Sequence, residues 1–334
     1  MNRLQRSASV VSLGLCFVGA STAVAAERQT EQAAKPRSRQ FRLDYGATLK
    51  GLPQGARVRV WLPVPPSNDH QEIERLELDL PAQSQTATEP KYGNQILYFE
   101  TKGPSSGSLA FHTSYRVQRR EVHGLSAERG KTRLTDEQRN RFLAANAKVP
   151  LEGKQLALLK GIQFSTDPLA LARSLYERVD DHVRYDKSQP GYGNGDVRWV
   201  CDSRFGNCTD FHSLFISLAR AKGLPARFEI GFPLPPERGE GKIGGYHCWA
   251  LFYAGQKGWV PVDISEADKH PEMQAYYFGN LTEDRVIFTT GRDLQLVPKQ
   301  DGEPLNFFVY PYVEVDGKVW SQDKMQNRFT FRDF

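Results

Sequence analysis

Residues 206–212 read Gly-Asn-Cys-Thr-Asp-Phe-His, and a largely apolar stretch follows them as far as Arg220. Asn207 can accept an amide hydrogen bond from the first turn of a helix, and Asp210 stands in the capping-box position after it. Gly223 is a favoured residue just past a helix C-terminus. The sequence therefore predicts a helix that starts at the cysteine and ends near Gly223.

Cys208 lies in the first turn of this predicted helix. The partial positive charge at a helix N-terminus favours the thiolate over the thiol, and the thiolate is the nucleophilic form. The remainder of the helix is apolar nearly all round, which is typical of a helix buried at the centre of a domain. We therefore interpret Cys208 as a candidate nucleophile on a buried central helix.

A predicted β-hairpin places a histidine near a carboxylate. Residues 246–253 and 259–263 are strongly β-forming, and a glycine-bounded loop at 255–258 joins them. If the turn is centred near 255 or 256, antiparallel pairing sets His247 across from Asp263, or within about two residues of it. Thiol catalysis needs an imidazole to move the proton and a carboxylate to orient the imidazole. The pairing alone does not bring His247 to the cysteine, because that contact depends on packing.

Three motifs in chain order resemble those of the transglutaminase-like superfamily. They are the stretch at 206–212, Gly-Gly-Tyr-His-Cys-Trp-Ala at 244–250, and Gly-Trp-Val-Pro-Val-Asp at 258–263. The resemblance covers about residues 165–285. It implies an α+β fold with a papain-like core, in which the central helix packs on an antiparallel sheet. It also implies a catalytic triad with Cys208 as nucleophile, His247 as general base and acid, and Asp263 as orienting carboxylate, and it calls for no cofactor.

Further residues are candidates for the oxyanion hole or for support of this triad. They are Asn207, Trp199, Asp210, His212 and Tyr246. The oxyanion hole would use the backbone N–H of Cys208 and a second donor, for which Trp199 and Asn207 are the candidates. Asp210 is assigned mainly to helix capping. For His212 the favoured interpretation is a core histidine whose hydrogen bonds are satisfied.

The same residues allow other interpretations. Each triad residue could be structural, which would leave a non-catalytic binding or scaffold protein. A zinc site could use Cys201, Cys208, His212, His247 and Cys248. These spacings lack a Cys-x-x-Cys pair, and Cys248 is expected to point into the core on the strand face opposite His247. No metal is therefore assigned. A disulfide between Cys201 and Cys208 would inactivate the enzyme.

The first 26 residues have the layout of a secretory signal peptide. Arg3 and Arg6 precede an apolar stretch at 10–18, and Ala-Val-Ala-Ala at 23–26 provides a cleavage site. We expect the mature protein to be exported, either periplasmic or secreted. No later stretch approaches the roughly 18 apolar residues that a membrane-spanning helix requires. We therefore expect no membrane span.

The composition is that of an ordinary globular protein, with 25% charged and 39% hydrophobic residues among 334. The formal net charge is +5, of which Arg3 and Arg6 supply two, so removal of the leader leaves +3. This charge is too small and too scattered to indicate a nucleic-acid partner. Nothing in the sequence indicates an oligomeric state.

We divide the chain into six segments. They are a signal peptide at 1–26, a polar tether at 27–39, a β-sandwich-like N-terminal domain at 40–124, a helical linker at 125–164, the catalytic core at 165–292 and a β-rich C-terminal extension at 293–334. Late strands are predicted at 285–289, 294–297, 307–315 and 318–320. The proline- and glycine-rich segment 233–245 is predicted to be a mobile loop and is a candidate lid.

The predicted function is acyl transfer from an amide bond of a peptide or protein substrate through a thioester on Cys208. With water as acceptor the enzyme is a peptidase or amidase, and with an amine it is a transglutaminase-type acyltransferase. Both outcomes stay open at this stage, because acceptor selection depends on the walls of the cleft. Hydrolysis is slightly favoured, since water is always present and no amine-binding feature is visible.

Overall fold

The computed structural model describes residues 35–126, 133–162 and 164–334. The predicted signal peptide at 1–26 and residues 27–34 of the predicted tether lie outside this part of the chain. Residues Pro36–Phe334 form one unit, and its described residues contain 18 strands and six α-helices.

The strands are β1 Ser38–Lys50, β2 Arg57–Val64, β3 Gln71–Asp79, β4 Ser84–Thr88, β5 Gln95–Lys102, β6 Ser108–Arg120, β7 Val122–His123, β8 Arg184–Tyr185, β9 Phe205–Gly206, β10 Ala226–Pro233, β11 Glu240–Lys242, β12 His247–Tyr253, β13 Trp259–Val262, β14 Asn280–Leu281, β15 Arg285–Thr290, β16 Tyr312–Val315, β17 Lys318–Val319 and β18 Met325–Asp333. The helices are α1 Asp136–Leu143, α2 Pro168–His182, α3 Val197–Ser203, α4 Cys208–Ala221, α5 Ile264–Lys269 and α6 Gln274–Tyr277.

Two five-stranded antiparallel sheets make up the strand-rich N-terminal region. Sheet A has the order β11-β18-β1-β6-β3, and sheet B has the order β17-β16-β2-β5-β4. Phe41, Leu43 and Tyr45 alternate along β1 and are fully buried, as the two-residue period of a strand requires. Phe99 of sheet B meets Phe111 of sheet A edge to face, with ring centroids 5.6 Å apart. The predicted strand-rich N-terminal region is thus present.

The C-terminal strands complete these two sheets. Strand β18 pairs with β1 over nine residues, from Leu49 opposite Met325 to Phe41 opposite Asp333. Strand β16 pairs with β2 in sheet B. The segments predicted as N-terminal domain and C-terminal extension therefore share both sheets, and the domain boundaries themselves stay a prediction.

Two predicted late strands are wrong in whole or in part. At 294–297 the chain forms only an isolated bridge between Leu294 and Leu305, because the side chain of Gln300 accepts the Leu296 N–H at 2.8 Å in place of a neighbouring strand. The strand predicted at 307–315 begins only after Pro311, which has no N–H to donate to a ladder. Strand β18 was not predicted.

The segment 233–245 is also more ordered than its composition indicates. Strand β11 lies within it and pairs with β18 at the edge of sheet A. The buried guanidinium of Arg39 donates to the carbonyl oxygens of Pro235 at 2.6 Å and Glu237 at 3.2 Å. The prediction of a loop is therefore wrong for Glu240–Lys242, because pairing with β18 outweighs the preference of glycine for turns.

Helix α4 is the predicted central helix, and every residue from Cys208 to Arg220 is buried. It packs on the four-stranded antiparallel sheet β13-β12-β10-β15, hereafter the core sheet. At its C-terminus Gly223 has φ +76°, and the Leu224 N–H donates to the Ala219 carbonyl at 2.9 Å. The predicted α+β class, with a central helix on an antiparallel sheet, is confirmed.

Aromatic side chains connect the core sheet to sheet A. Tyr45 of β1 stacks on Phe288 of β15 with a centroid separation of 5.3 Å, and Phe232 of β10 contacts Phe329 of β18 at 4.7 Å. Each such pair contributes about 0.5–1.5 kcal/mol beyond its buried area. The position of the core sheet is therefore fixed partly by sheet A. Among the described residues, no helix combines the length and apolar character needed to cross a membrane.

Candidate functional site

The N-terminus of α4 is held by a complete capping box. The Asn207 side-chain oxygen accepts the Thr209 N–H at 2.9 Å, and the Asp210 carboxylate accepts the Asn207 N–H at 3.0 Å. Cys208, the first residue of the helix, is 3% exposed. The cap fixes the cysteine at the positive end of the helix dipole.

Asp210 does more than cap the helix. Its two carboxylate oxygens also accept the N–H groups of Gly193 at 2.7 Å and Gly195 at 2.9 Å, so it holds the preceding loop against the helix start. A Cβ at Gly206 would lie 2.5 Å from the Asp210 carboxylate, which explains the glycine there. Burial raises the pKa of Asp210, and the three amide donors oppose that rise.

His247 and Asp263 meet as the hairpin predicts. The His247 Nε2 lies 2.8 Å from the Asp263 Oδ2, and both side chains are buried. The register pairs Ala250 with Val262, which puts Asp263 two residues from the position opposite His247. The imidazole is therefore oriented by a carboxylate that belongs to the same hairpin.

The His247 side chain also shares a hydrogen bond with the Cys208 thiol. Burial alone would lower the pKa of His247, but the charge and hydrogen bond of Asp263, with the contact to Cys208, raise it to about 10. Burial would likewise raise the pKa of Cys208, yet hydrogen bonds from Cys248 and His247 and the positive imidazolium hold it well below its usual range. These opposite shifts favour a thiolate–imidazolium pair over a neutral thiol and imidazole.

Asp263 receives several hydrogen bonds. The Arg285 Nη1 donates to its Oδ2 at 2.8 Å, while Ser265 Oγ and the Glu266 N–H donate to its Oδ1 at 3.3 Å each. Burial would raise the pKa of Asp263, but the positive charges of His247 and Arg285 hold it far below its usual range. The carboxylate therefore stays ionised beside the imidazole.

His212 is a buried, neutral histidine one helical turn after Cys208. Its Nε2 accepts the Ile264 N–H at 3.0 Å, so the ring proton lies on Nδ1, where it donates to the Cys208 backbone carbonyl. Burial lowers the pKa of His212 to about 4. Nε2 therefore holds α4 against the start of α5, while Nδ1 bonds within α4 to the residue that carries the candidate nucleophile.

Tyr246 and Asn207 belong to one hydrogen-bond network. The Asn207 Nδ2 donates to the Tyr246 hydroxyl at 3.0 Å, and that hydroxyl lies 2.9 Å from Thr209 Oγ1. Trp199 lies against Gly191, in the loop that precedes α3, and packs edge to face on Phe205, with ring centroids 5.2 Å apart. The Asn207 side chain is therefore hydrogen-bonded through both its oxygen and its nitrogen, and its role as an oxyanion donor stays a prediction.

Cys248 also belongs to the candidate site, although the sequence analysis assigned it to the core. It lies on the face of β12 opposite His247, as predicted, but α4 covers that face. Its thiol hydrogen-bonds to Cys208 and lies 3.8 Å from both Thr209 Oγ1 and His212 Nδ1. Burial and the contact with Cys208 raise the pKa of Cys248 well above its usual range, so the Cys248 thiol keeps its proton beside the Cys208 sulfur.

Two buried arginines were also missed. Arg285, at the start of β15, holds Asp263. Arg292 donates to the carbonyl oxygens of Gly195 at 3.1 Å and Asn194 at 2.8 Å, and it also binds Ser213 of α4. Neither arginine belongs to a recognisable sequence motif. Their place in the candidate site follows only from contacts with residues that are distant in the chain.

The cysteine and histidine set of the zinc hypothesis does not converge on one point. Within the described ranges, one group of three potential ligand side chains has its donor atoms within 4.8 Å of one another: His247, Asp263 and Glu266. Two of these three already pair with each other at 2.8 Å. Cys201, Cys208 and Cys248 are all free thiols, so the predicted alternative of a Cys201–Cys208 bridge is not present.

Comparison with known proteins identifies the core. Residues 157–264 match the family model described as the transglutaminase-like superfamily core, which confirms the resemblance drawn from the motifs. An uncharacterized protein of Haemophilus influenzae is 29% identical over 308 residues, which cover 80% of this chain and 83% of that protein.

One solved structure shares the fold, and a second is more distantly similar. A proposed cysteine protease from Cytophaga hutchinsonii is similar with a TM-score of 0.53 and 16% identity, over 89% of this chain and 98% of that one. The periplasmic domain of TgpA from Pseudomonas aeruginosa, bound to ethylmercury, gives a TM-score of 0.38 and 18% identity over 70% and 91% of the two chains.

Proposed function

We propose that this chain, which carries a transglutaminase-like core, is a cysteine enzyme that cleaves amide bonds of peptide or protein substrates through a thioester on Cys208. The observation that carries the proposal is the contact of the Cys208 thiol with His247, whose Nε2 lies 2.8 Å from Asp263. A thiolate, a proton-carrying imidazole and an orienting carboxylate are the groups that acyl transfer requires.

In the proposed reaction the Cys208 thiolate attacks the amide carbonyl carbon. The developing oxyanion is stabilised by the Cys208 backbone N–H, which points outward from the first helical turn. The His247 imidazolium gives its proton to the leaving amine as the C–N bond breaks. Neutral His247 then takes a proton from water, whose oxygen attacks the thioester, and the Cys208 thiolate is released with the carboxylic acid.

An amine could replace water in the second half of this reaction, which would make the enzyme an acyltransferase. The chemistry of Cys208 and His247 is common to both outcomes. We favour hydrolysis, because it requires no binding site for a second substrate. Neither outcome calls for a cofactor.

The test is to incubate the protein with a glutamine-containing peptide, with and without a primary amine, and to weigh the products. Backbone cleavage or conversion of glutamine to glutamate supports the hydrolase, and amine incorporation supports the acyltransferase. The control is Cys208→Ala, which should yield none of these products while the protein stays folded. Turnover equal to wild type in that variant would refute the role of Cys208.

We also propose that the protein is exported, on the basis of the leader-like residues 1–26. Expression of the whole chain in a bacterium with a periplasm tests this. N-terminal sequencing of the processed protein should start at Glu27, after the Ala-Val-Ala-Ala stretch. A cytosolic protein that retains Arg3 and Arg6 would contradict the proposal.

A further inference from the structure

The core sheet has a second face, away from α4, and that face carries a cavity of about 250 Å³. Along β12 the side chains alternate between the two faces. Ala250 and Phe252 belong to the apolar cluster around α4, whereas Trp249 and Leu251 belong to a separate cluster with Ile287. Leu251, Ile287 and Trp259 line the cavity, whereas Cys208, His247 and Asp263 are not among its lining residues.

A buried arginine lines this cavity. Arg119, near the end of β6, is 3% exposed. Its Nε–H is buried and has no hydrogen-bond partner among the residues that the structure describes. Burial lowers the pKa of Arg119 to about 10, which still leaves the guanidinium charged at neutral pH.

A second guanidinium in the same cavity also has an unused donor. Arg227 pairs with Glu229 through its Nη2 at 2.6 Å, but its own Nε–H lacks a partner within the described ranges. Glu229 is already shared, because its Oε2 accepts the Trp249 indole N–H at 2.9 Å. The cavity is therefore lined by the buried guanidinium of Arg119, by the guanidinium of Arg227, which is 25% exposed and stacks on Trp259, and by one buried carboxylate, with two buried N–H donors to spare.

Buried charges in proteins are ordinarily paired, because an unpaired charge out of water is unfavourable. An anion in the cavity would supply the missing partner. A carboxylate suits this site, because its two oxygens match the planar fork of a guanidinium. Its single negative charge would also balance the one positive charge that remains after Glu229 is set against the two arginines. The exposed Asp69 at the cavity edge disfavours ligands with higher negative charge.

We propose that this cavity binds a small organic carboxylate, with the carboxylate at Arg119 and Arg227 and an apolar body against Trp259 and Leu251. The carboxylate belongs either to a free organic acid or to the C-terminus of a peptide. The site does not depend on the chemistry proposed for Cys208.

The experiment measures binding to the full-length protein by calorimetry and by the ligand-dependent shift of Tm. The probes are benzoate, inorganic phosphate, and acetyl-alanyl-phenylalanine with either a free or an amidated C-terminus. We expect saturable binding of a carboxylate probe and a Tm that rises with its concentration. Binding of benzoate alone identifies a free acid as the source, and binding of the free peptide but not its amide identifies a peptide C-terminus.

The matched variants are Arg119→Met and Arg116→Met. Arg116 lies on the same strand, is 43% exposed and pairs with Glu74 at the surface, so its loss should leave the affinity unchanged. Loss of Arg119 should weaken carboxylate binding at least about tenfold, as expected for a charge-assisted hydrogen bond. If Arg119→Met does not fold, Arg227→Lys is compared with Arg116→Met instead. This variant keeps the positive charge at position 227 but removes the Nε–H.

Three results would overturn the proposal. The first is that no carboxylate probe binds saturably. The second is that the affinity for the carboxylate stays the same in Arg119→Met, or in Arg227→Lys where that variant is used. The third is that phosphate binds as tightly as the best carboxylate.

Discussion

His247 connects the two parts of the candidate site, because it contacts both Cys208 and Asp263. Its pKa is raised to about 10, so the imidazolium persists from acid up to about that pH. The pKa of Cys208 is lowered, so the thiolate forms at a lower pH than in an ordinary cysteine and persists at every higher pH. We therefore expect the ion pair between these two limits, with neutral pH inside the window.

Replacement of His247 by alanine should return the Cys208 pKa to its ordinary value or higher, because burial then acts without the imidazolium. At pH 6 a thiol with a pKa of about 8.5 is less than about 1% ionised, so alkylation of Cys208 by iodoacetamide should slow about 100-fold. The rate is measured by mass spectrometry of the Cys208 peptide. His112→Ala, which removes a histidine beside Asp44 in sheet A, should leave the rate unchanged.

Removal of the Cys248 thiol tests its role as a donor to Cys208. Cys248→Ala should raise the pKa of Cys208 by about one unit, since a hydrogen bond to a charged group contributes about 1.5 kcal/mol. The pH profile of Cys208 alkylation gives this pKa. Burial raises the pKa of Cys201, on α3, to about 11, so Cys201→Ala should not move the profile. An identical profile in Cys248→Ala would show that its thiol only fills space.

The three residues proposed as a triad could be picked out from the sequence because local motifs mark them. Cys208 follows a helix cap, and His247 and Asp263 share one hairpin. Cys248 and Arg285 could not be assigned in the same way. Strand alternation sets the face on which Cys248 lies, but only the packing of α4 on that face brings it to the nucleophile. Arg285 comes from a strand that the sequence alone does not place beside Asp263.

At the scale of elements, the start of α4 depends on Asp210. Asp210→Ala leaves the N–H groups of Asn207, Gly193 and Gly195 without their acceptor in a buried setting. At about 1–3 kcal/mol for each unsatisfied group, we expect a loss of about 3 kcal/mol or more in the free energy of unfolding.

Urea denaturation measures this loss. Glu137→Ala, which removes an exposed i,i+4 ion pair with Arg141 on α1, is the control and should change stability by less than about 0.5 kcal/mol. A loss for Asp210→Ala as small as for the control would mean that water replaces the carboxylate at these amides.

The hairpin of β12 and β13 was predictable because the loop length limits its register. Pairing of Leu251 with Pro261 fixes the position of every other residue in the two strands. The cap of α4 was predictable for the same local reason, because Asn207 and Asp210 lie three residues apart at its start. Elements whose partners are distant in sequence, such as β11 and β18, carry no comparable local signal.

At the scale of the whole molecule, β18 holds together segments from both ends of the chain. It lies between β11 and β1 in sheet A and buries Met325, Phe329 and Phe331. Deletion of residues 325–334 should remove about 1.5–3 kcal/mol for each of these side chains and expose the edge of β1.

We expect the shortened protein to be insoluble or sensitive to limited proteolysis, which is the measurement. Deletion of Phe334 alone, which is 66% exposed, is the control and should be tolerated. A shortened protein with an unchanged Tm would show that sheet A does not need its C-terminal strand.

The sequence correctly predicted the α+β class, with a central helix on an antiparallel sheet and a strand-rich region before it. The sequence did not reveal that β1 and β18 pair in one sheet, because Leu49 and Met325 are neighbours in space but far apart in the chain. The alternating pattern of a strand shows which face is buried but does not identify the adjacent strand.

The central claim is that Cys208 is a thiolate paired with the imidazolium of His247. The most direct measurement is a pH titration of thiolate ultraviolet absorbance, taken as the difference between the wild-type protein and Cys208→Ser. We predict a thiolate signal already present at about pH 6, well below the ordinary cysteine pKa of about 8.5. A signal that appears only above about pH 8.5 would contradict the ion pair.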